Sequence, residues 1–198
     1  MYRPAYARLD EPALLHRLIA ERPFATLARV REGRVLCAAG PLYLREGALV
    51  GHLARANPFT QDLDGAELCA VFSGPDGYVS PTWYQRPQEQ VPTWNYVQVE
   101  ARGPARLMDG AALLEHMVAL HEPEWRVEPS LRDQLLRAIV AFAITPLSLE
   151  GKVKLSQNRD PEDRQRVEDR FAELNPELAR WMREAATLAP GSSAPRRR

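Results

Sequence analysis

Residues 96–102, Tyr-Val-Gln-Val-Glu-Ala-Arg, alternate strictly, with Val97, Val99 and Ala101 on one side and Tyr96, Gln98, Glu100 and Arg102 on the other. Successive side chains of a strand point to opposite faces, so this stretch predicts an antiparallel strand with one face on a core. An all-helical chain is excluded. The entrance to the strand, Pro92-Thr93-Trp94-Asn95-Tyr96, crowds a hydroxyl, an indole, an amide and a phenol together. Two readings are open there. Either the group forms a wall for a flat, polar-edged ligand, or Trp94 plugs the end of a barrel while Asn95 hydrogen-bonds its own turn.

The rest of the chain supplies neighbours for that strand. Phe24–Arg31 alternates, and Arg31-Glu32-Gly33-Arg34 turns it into Val35–Ala39. Gly40-Pro41 interrupts before Leu42–Leu44, and Arg45-Glu46-Gly47 makes a second hairpin into Ala48–Leu53. Glu67–Ser73 is nearly all apolar and reads as a strand buried on both faces. Gly74–Gln90 reads as a structured loop with a short strand at Gly77–Ser80. Gly103-Pro104 precedes a short strand Ala105–Met108. Val140–Thr145 is stopped by Pro146, and Leu147–Leu155 follows with a turn at Glu150-Gly151.

Helices are expected over Glu11–Arg22, started by Asp10 and Pro12, and over Ala111–His121, capped by Asp109. A third is capped by Ser130 and turns Leu131, Leu135, Leu136 and Ile139 inward. Asp160-Pro161-Glu162-Asp163 starts a fourth, with Val167, Phe171 and Leu174 as its apolar stripe, and Pro176 starts a fifth that runs to about Thr187. The tail Ala189–Arg198 has a disordered composition. Short antiparallel strands with inserted and appended helices make an α+β protein built around a small barrel.

Several chemistries are disfavoured. The 26 basic residues balance the 26 acidic ones, so the chain has no general electrostatic grip on nucleic acid. DNA remains a possible partner that the charge does not support, and residues 161–187 read better as a solvated helical hairpin or dimer arm than as a recognition motif. His116 and His121 are five positions apart, roughly 140° around a helix of about 3.6 residues per turn, and read as surface histidines rather than metal ligands. No GxSxG elbow, P-loop or dinucleotide fingerprint is present. Cys37 and Cys69 sit in apolar runs and read as free, buried thiols. No apolar run approaches the about 18 residues of a membrane span, and the first residues lack the apolar stretch of an export signal, so a cytoplasmic protein is expected.

What survives is a polar constellation on strand ends. His52, Arg55 and Asn57 follow one strand, Trp83 and Tyr84 lie in the long loop, and Thr93–Tyr96 open the central strand. Lys152, Lys154, Ser156, Gln157 and Asn158 follow the last strand. Arg55 and Lys154 suit a phosphate, and Trp83 or Trp94 suits a flat ring. Each has a purely structural alternative. Arg55 pairs with Asp62 or Glu67, Lys154 is a solvated strand end, Trp83 belongs to a core or interface, and Ser156–Asn158 is an ordinary loop.

Six motifs in order then carry a resemblance: Met1-Tyr2-Arg3-Pro4, Phe24-Ala25-Thr26-Leu27, GHLARANP at 51–58, SPTWY at 80–84, VPTWNY at 91–96 and EGKVKLSQN at 150–158. Together they resemble the PaiB-type FMN-binding split-barrel proteins, known as negative transcriptional regulators and related to pyridoxamine-phosphate-oxidase-like flavoproteins. The resemblance covers the chain to about Phe171. It implies an antiparallel split β-barrel over 1–160 with peripheral helices, a helical extension over 161–187 and a tail over 188–198. It further implies a homodimer with FMN at the interface, each site borrowing residues from both chains. Carried onto this sequence, the cofactor-binding set is His52, Arg55, Asn57, Trp83, Thr93, Trp94, Asn95, Tyr96, Lys154, Ser156, Gln157 and Asn158, with Arg55 and Asn57 near the phosphate. No metal and no catalytic residue is assigned. The implied function is flavin-linked negative regulation; the alternative is an FMN-dependent oxidoreductase acting on a small substrate. One departure stands out, because relatives commonly carry a His-Leu-Pro-Leu-like step where this chain has Ala39-Gly40-Pro41-Leu42.

Overall fold

The computed structural model describes residues 1–188. Among them the strands are β1 (Arg8–Leu9), β2 (Phe24–Arg31), β3 (Arg34–Arg45), β4 (Ala48–Ala54), β5 (Glu67–Val79), β6 (Thr93–Leu107), β7 (Ile139–Ile144) and β8 (Ser148–Lys154). The helices are α1 (Pro12–Glu21), α2 (Gly110–His121), α3 (Pro129–Ala138), α4 (Pro161–Leu174) and α5 (Pro176–Leu188). The chain divides into two compact units. The first holds Met1–Leu9, Gly74–Gln98 and the chain from Gly151 on; the second holds Asp10–Ser73 and Val99–Glu150. The tail expected to be disordered lies outside the described residues, apart from Leu188 at the end of α5.

The second unit is built on two tight hairpins. Glu32 and Gly33 have φ of 52° and 73°, and Glu46 and Gly47 have 51° and 80°. Two successive left-handed residues match the twist of the flanking strands. They set the β2–β3 register, in which Val30 faces Val35, Ala28 faces Cys37, Thr26 faces Ala39 and Phe24 faces Pro41. β3 does not break at Gly40-Pro41. Up to Pro41 it pairs with β2, and from Leu42 to Arg45 it pairs with β4. The proline stands where the strand changes neighbours, a place where a missing donor is tolerated. β4 pairs with β7, and β7 with the end of β6. The strand order β6-β5-β2-β3-β4-β7, with β6 also bonded to β7, closes a six-strand ring, and β8 and β1 extend the sheet beyond β6.

Leu27, Leu42, Leu49, Phe72, Phe142 and Ile144 are fully buried in the second unit, joined by Leu18 and Ile19 of α1. Burying such a side chain contributes about 1.5–3 kcal/mol. The central strand behaves as its pattern predicts, with Val97, Val99 and Ala101 buried.

Several expectations are corrected. β5 is not buried on both faces: Leu68, Ala70 and Phe72 are buried, whereas Glu67 and Ser73 are exposed and Cys69 and Val71 half-buried. It runs to Val79 rather than stopping at Ser73. β6 continues unbroken through Gly103-Pro104, and Gly103 lies where a side chain would strike the carbonyl oxygen of Pro146. β8 likewise runs straight through Glu150-Gly151. α3 begins at Pro129 with Glu128 at its N-cap, Ser130 does not cap it, and Leu131 and Leu135 are exposed. Asp109 does cap α2, accepting from the Ala111 amide at 2.9 Å. Both cysteines are free, but Cys37 is exposed and Cys69 half-buried.

In the first unit β1 pairs with β8, Arg8 facing Lys152. α4 and α5 bury Val167, Phe171, Leu178, Trp181 and Met182, but leave Leu174 on the surface. Gly77 is required beneath them, since a Cβ there would sit 2.5 Å from the Phe171 ring. Asp163 of α4 accepts from the Gln85 amide at 2.8 Å, and Asn175 donates to the Asp76 carbonyl at 3.0 Å. These bonds hold the 80–90 segment and the end of β5.

Candidate functional site

Nine of the twelve expected site residues lie in the first unit and three, His52, Arg55 and Asn57, in the second. In the first unit, Asn95 is 1% exposed and is not bonded to its own turn. Its Oδ1 accepts from the Ser156 hydroxyl at 3.1 Å, and its Nδ2 lies 3.7 Å from Met182 Sδ. The Lys154 ammonium donates to the Thr93 hydroxyl. Gln157 folds back, its Oε1 accepting from the Leu155 amide at 2.7 Å and its Nε2 donating to the Val153 carbonyl at 2.6 Å. Ser156–Gln157 is therefore a knot tied onto the strand entrance, not an ordinary loop. Asn158 is exposed.

The outer side of the same entrance is aromatic and cationic. Trp94 is 53% exposed, so it is not a plug, and it stands edge-on to Tyr78 with ring centroids 6.0 Å apart. The Lys152 ammonium lies 5.3 Å from the Tyr96 ring centroid and 5.6 Å from that of Tyr2. Trp83 packs edge-on to Phe171 at 5.4 Å, and Arg159 covers Tyr84 at 5.1 Å. Half-exposed rings with ammonium groups beside them offer a stacking surface and counter-charge to a flat anionic ligand.

In the second unit, Arg55 pairs with neither Asp62 nor Glu67. Its Nε donates to the Arg137 carbonyl at 2.9 Å and its Nη2 to that of Ile139 at 2.6 Å, clamping the junction of α3 and β7. The Asp62 carboxylate lies 3.0 Å from Arg31 instead. Asn57 accepts from the Phe59 amide at 3.0 Å and caps the short turn Pro58–Thr60. His52 Nδ1 is shielded from solvent with no hydrogen-bond partner among the described residues, and burial holds its imidazole below the usual histidine pKa.

Sequence reasoning missed Arg29, which is buried. It donates to the Gln61 and Asp62 carbonyls and lies 5.4 Å from the Phe59 ring centroid, pinning the loop that follows Asn57. Burial, and then the neighbouring Arg31, lowers its pKa. The signal was available: Arg29 follows Ala25 and Leu27 on the inward side of β2, where the alternation demands an apolar residue. Of the two histidines read as surface residues, His121 is exposed, whereas His116 is half-buried with its Nε2 shielded from solvent; both rings pack edge-on against the buried Tyr43. The opposite side of β2 and β3 is an exposed apolar sheet surface. Phe24, Val30 and Val35 are 67%, 69% and 69% exposed, and Cys37 and Ala39 lie beside them. Among the described residues no three His, Cys, Asp or Glu side chains form a group able to hold a metal ion.

These donors fit FMN. The exposed Trp94 and half-buried Tyr96 rings suit its isoalloxazine, and Lys152 and Lys154 suit its anionic groups. When bound, FMN supplies one- and two-electron redox chemistry; the chain supplies stacking, charge and orientation.

Residues 1–146 match the family described as "Putative FMN-binding domain". The chain is 30% identical over 178 residues to the "Protease synthase and sporulation protein PAI 2" of Bacillus subtilis, covering 82% of this chain and 85% of that protein. It is 29% identical over 172 residues to an uncharacterised protein of Emericella nidulans, covering 66% and 68% of the two chains. Among solved structures, the FAD and heme binding protein of Mycobacterium smegmatis superposes with a TM-score of 0.61 at 20% identity, over 75% of this chain and 73% of that one. The flavocytochrome Anf3 of Azotobacter vinelandii gives 0.61 at 16% identity, over 82% and 77%. The chain thus belongs to the PaiB-type FMN-binding domain family, whose cofactor is FMN, and folds as its antiparallel split β-barrel.

Proposed function

We propose that this protein is a cytoplasmic FMN-binding homodimer that acts as a negative regulator. The observation that carries the flavin reading is the aromatic and cationic surface of Trp94, Tyr96, Lys152 and Lys154. Asn95 and Ser156 stiffen its base. The homodimer is supported by the exposed face of β2 and β3, where Phe24, Val30, Val35, Cys37 and Ala39 form an apolar patch without a charge among them. A second copy of this chain is the partner whose own patch matches it by symmetry. Ala39, where the resemblance implies a histidine in many relatives, keeps that patch apolar. The regulatory role rests on the resemblance to the negative transcriptional regulators, alongside 30% identity to a Bacillus subtilis protein named for protease synthase and sporulation. With basic and acidic residues in balance, the signal passes through the flavin and the dimer rather than through broad contact with DNA. An exposed Cys37 thiol suits a reducing cytoplasm.

The test is spectroscopic and thermal. Protein purified with FMN shows bound-flavin absorbance, and FMN at about one hundred times its Kd adds about 2.7 kcal/mol of stability. Trp94→Ala and Lys152→Glu weaken that stabilisation while leaving the FMN-free protein folded. No bound flavin and no thermal shift at saturating FMN would overturn the reading.

A further inference from the structure

Three polar rings meet in the second unit, none of them a residue assigned to flavin. Tyr43 of β3 is buried, and its hydroxyl lies 3.0 Å from His121 Nε2 of α2. The His116 ring, five residues earlier on α2, stands edge-on to Tyr43 at 6.0 Å, and that of His121 at 5.5 Å. His116 Nε2 is shielded from solvent and has no hydrogen-bond partner among the described residues. All three side chains border a cavity of about 290 Å³ whose remaining walls are almost wholly apolar.

Leaving a buried ring nitrogen unpaired costs about 1–3 kcal/mol. Such a group calls for a partner, which a ligand, an ion or an ordered water can supply. The cavity stands at the lower end of the about 300–1,000 Å³ range of small-molecule sites, which limits an occupant to one or two rings. No carboxylate lines it, so nothing there would hold an amine. A hydroxyl and two imidazoles can all donate hydrogen bonds, and the imidazoles can also carry positive charge. The geometry points to a binding site for a small aromatic monocarboxylate. Its ring lies against Pro23, Leu42 and Leu120, and its carboxylate accepts from His116 Nε2–H and the Tyr43–His121 pair.

The inference does not depend on flavin binding and is tested beside it. 2-Naphthoate is titrated into the full-length protein while the His116 and His121 ring-proton resonances are followed, with 2-naphthylmethanol as the neutral counterpart. The expected result is a saturable shift of both resonances by the acid and at least tenfold weaker binding of the alcohol. His116→Leu weakens the acid at least tenfold. Ala20→Trp, placed on the exposed rim of the cavity rather than in the core, abolishes its binding, and both variants bind FMN as the parent does. Absence of a saturable shift, equal binding of acid and alcohol, or unchanged binding in both variants would overturn the site. Competition between FMN and naphthoate would also overturn it, by making the cavity part of the flavin site. Should FMN fail to bind at all, the naphthoate titration still reads the cavity by itself.

Discussion

Ser156 donates its hydroxyl hydrogen to Asn95 Oδ1 at 3.1 Å, joining residues that are 61 positions apart and both buried. Ser156 has φ of 62°, a left-handed conformation that a non-glycine residue adopts only when its surroundings hold it. Removing either partner therefore leaves a buried polar atom unpaired. Asn95→Leu is expected to lower stability by about 1–3 kcal/mol. Adding Ser156→Gly, which removes both the orphaned hydroxyl and the strained backbone, restores part of that loss, so the two changes are not additive. Urea unfolding of the two single variants and the double variant measures this; strict additivity would show that the bond carries no coupling.

Val30 and Val35 face one another across the first hairpin, both largely exposed. Val30→Asp puts a charge into the proposed dimer patch without touching the core. The folded monomer is expected to change by about 0.5 kcal/mol or less, while sedimentation velocity shifts from dimer to monomer. A dimer that persists in Val30→Asp/Val35→Asp would place the interface elsewhere.

Gly51 begins the GHLARANP segment, and a Cβ there would lie 2.8 Å from the carbonyl oxygen of Pro41 and strike the Leu42 side chain. The oxygen belongs to a paired strand and cannot yield cheaply. Gly51→Ala is expected to cost about 1–3 kcal/mol, read as a lower urea midpoint with an unchanged slope.

His52 predicts a pH dependence. Burial depresses its folded-state pKa, so on acidification the unfolded chain takes up this proton first. Stability therefore rises with pH across the window from the depressed value up to the ordinary histidine pKa of about 6.5, and its contribution is lost as pH falls through that window. His52→Leu is expected to flatten this slope on the acid side of about pH 6.5 in urea unfolding. A slope equal to that of the parent would assign the acid sensitivity to other groups.

Local chemistry made much of the fold legible. The alternation at 96–102 placed β6 and its buried side, the left-handed pairs Glu32-Gly33 and Glu46-Gly47 placed both hairpins, and Asp109 and Pro161 placed helix starts. Those signals act within a few residues. The misreadings arose where a distant segment overrode a local one. Gly40-Pro41, Gly103-Pro104 and Glu150-Gly151 look like breaks, yet pairing with β2 at the first, with β7 just beyond the second and with β1 at the third accompanies an unbroken strand. Ser130 looks like a cap, but Pro129 begins the helix before it.

The candidate site divides in the same way. Residue types and motif order alone brought Thr93–Tyr96 and Lys154–Gln157 into one proposal, because a strand entrance rich in aromatic and amide groups is a chemical signature. Only the tertiary structure decided what each group does. It tied Asn95 to Ser156, turned Trp94 outward, spent Arg55 on the carbonyls of Arg137 and Ile139, and buried Arg29 over Phe59. The physical reason is that a polar side chain bonds to whatever partner the fold brings within about 3 Å. That partner was 82 positions away for Arg55 and 61 for Asn95. Periodicity and turn chemistry reach only across one element, whereas the assignment of donors and acceptors waits on packing.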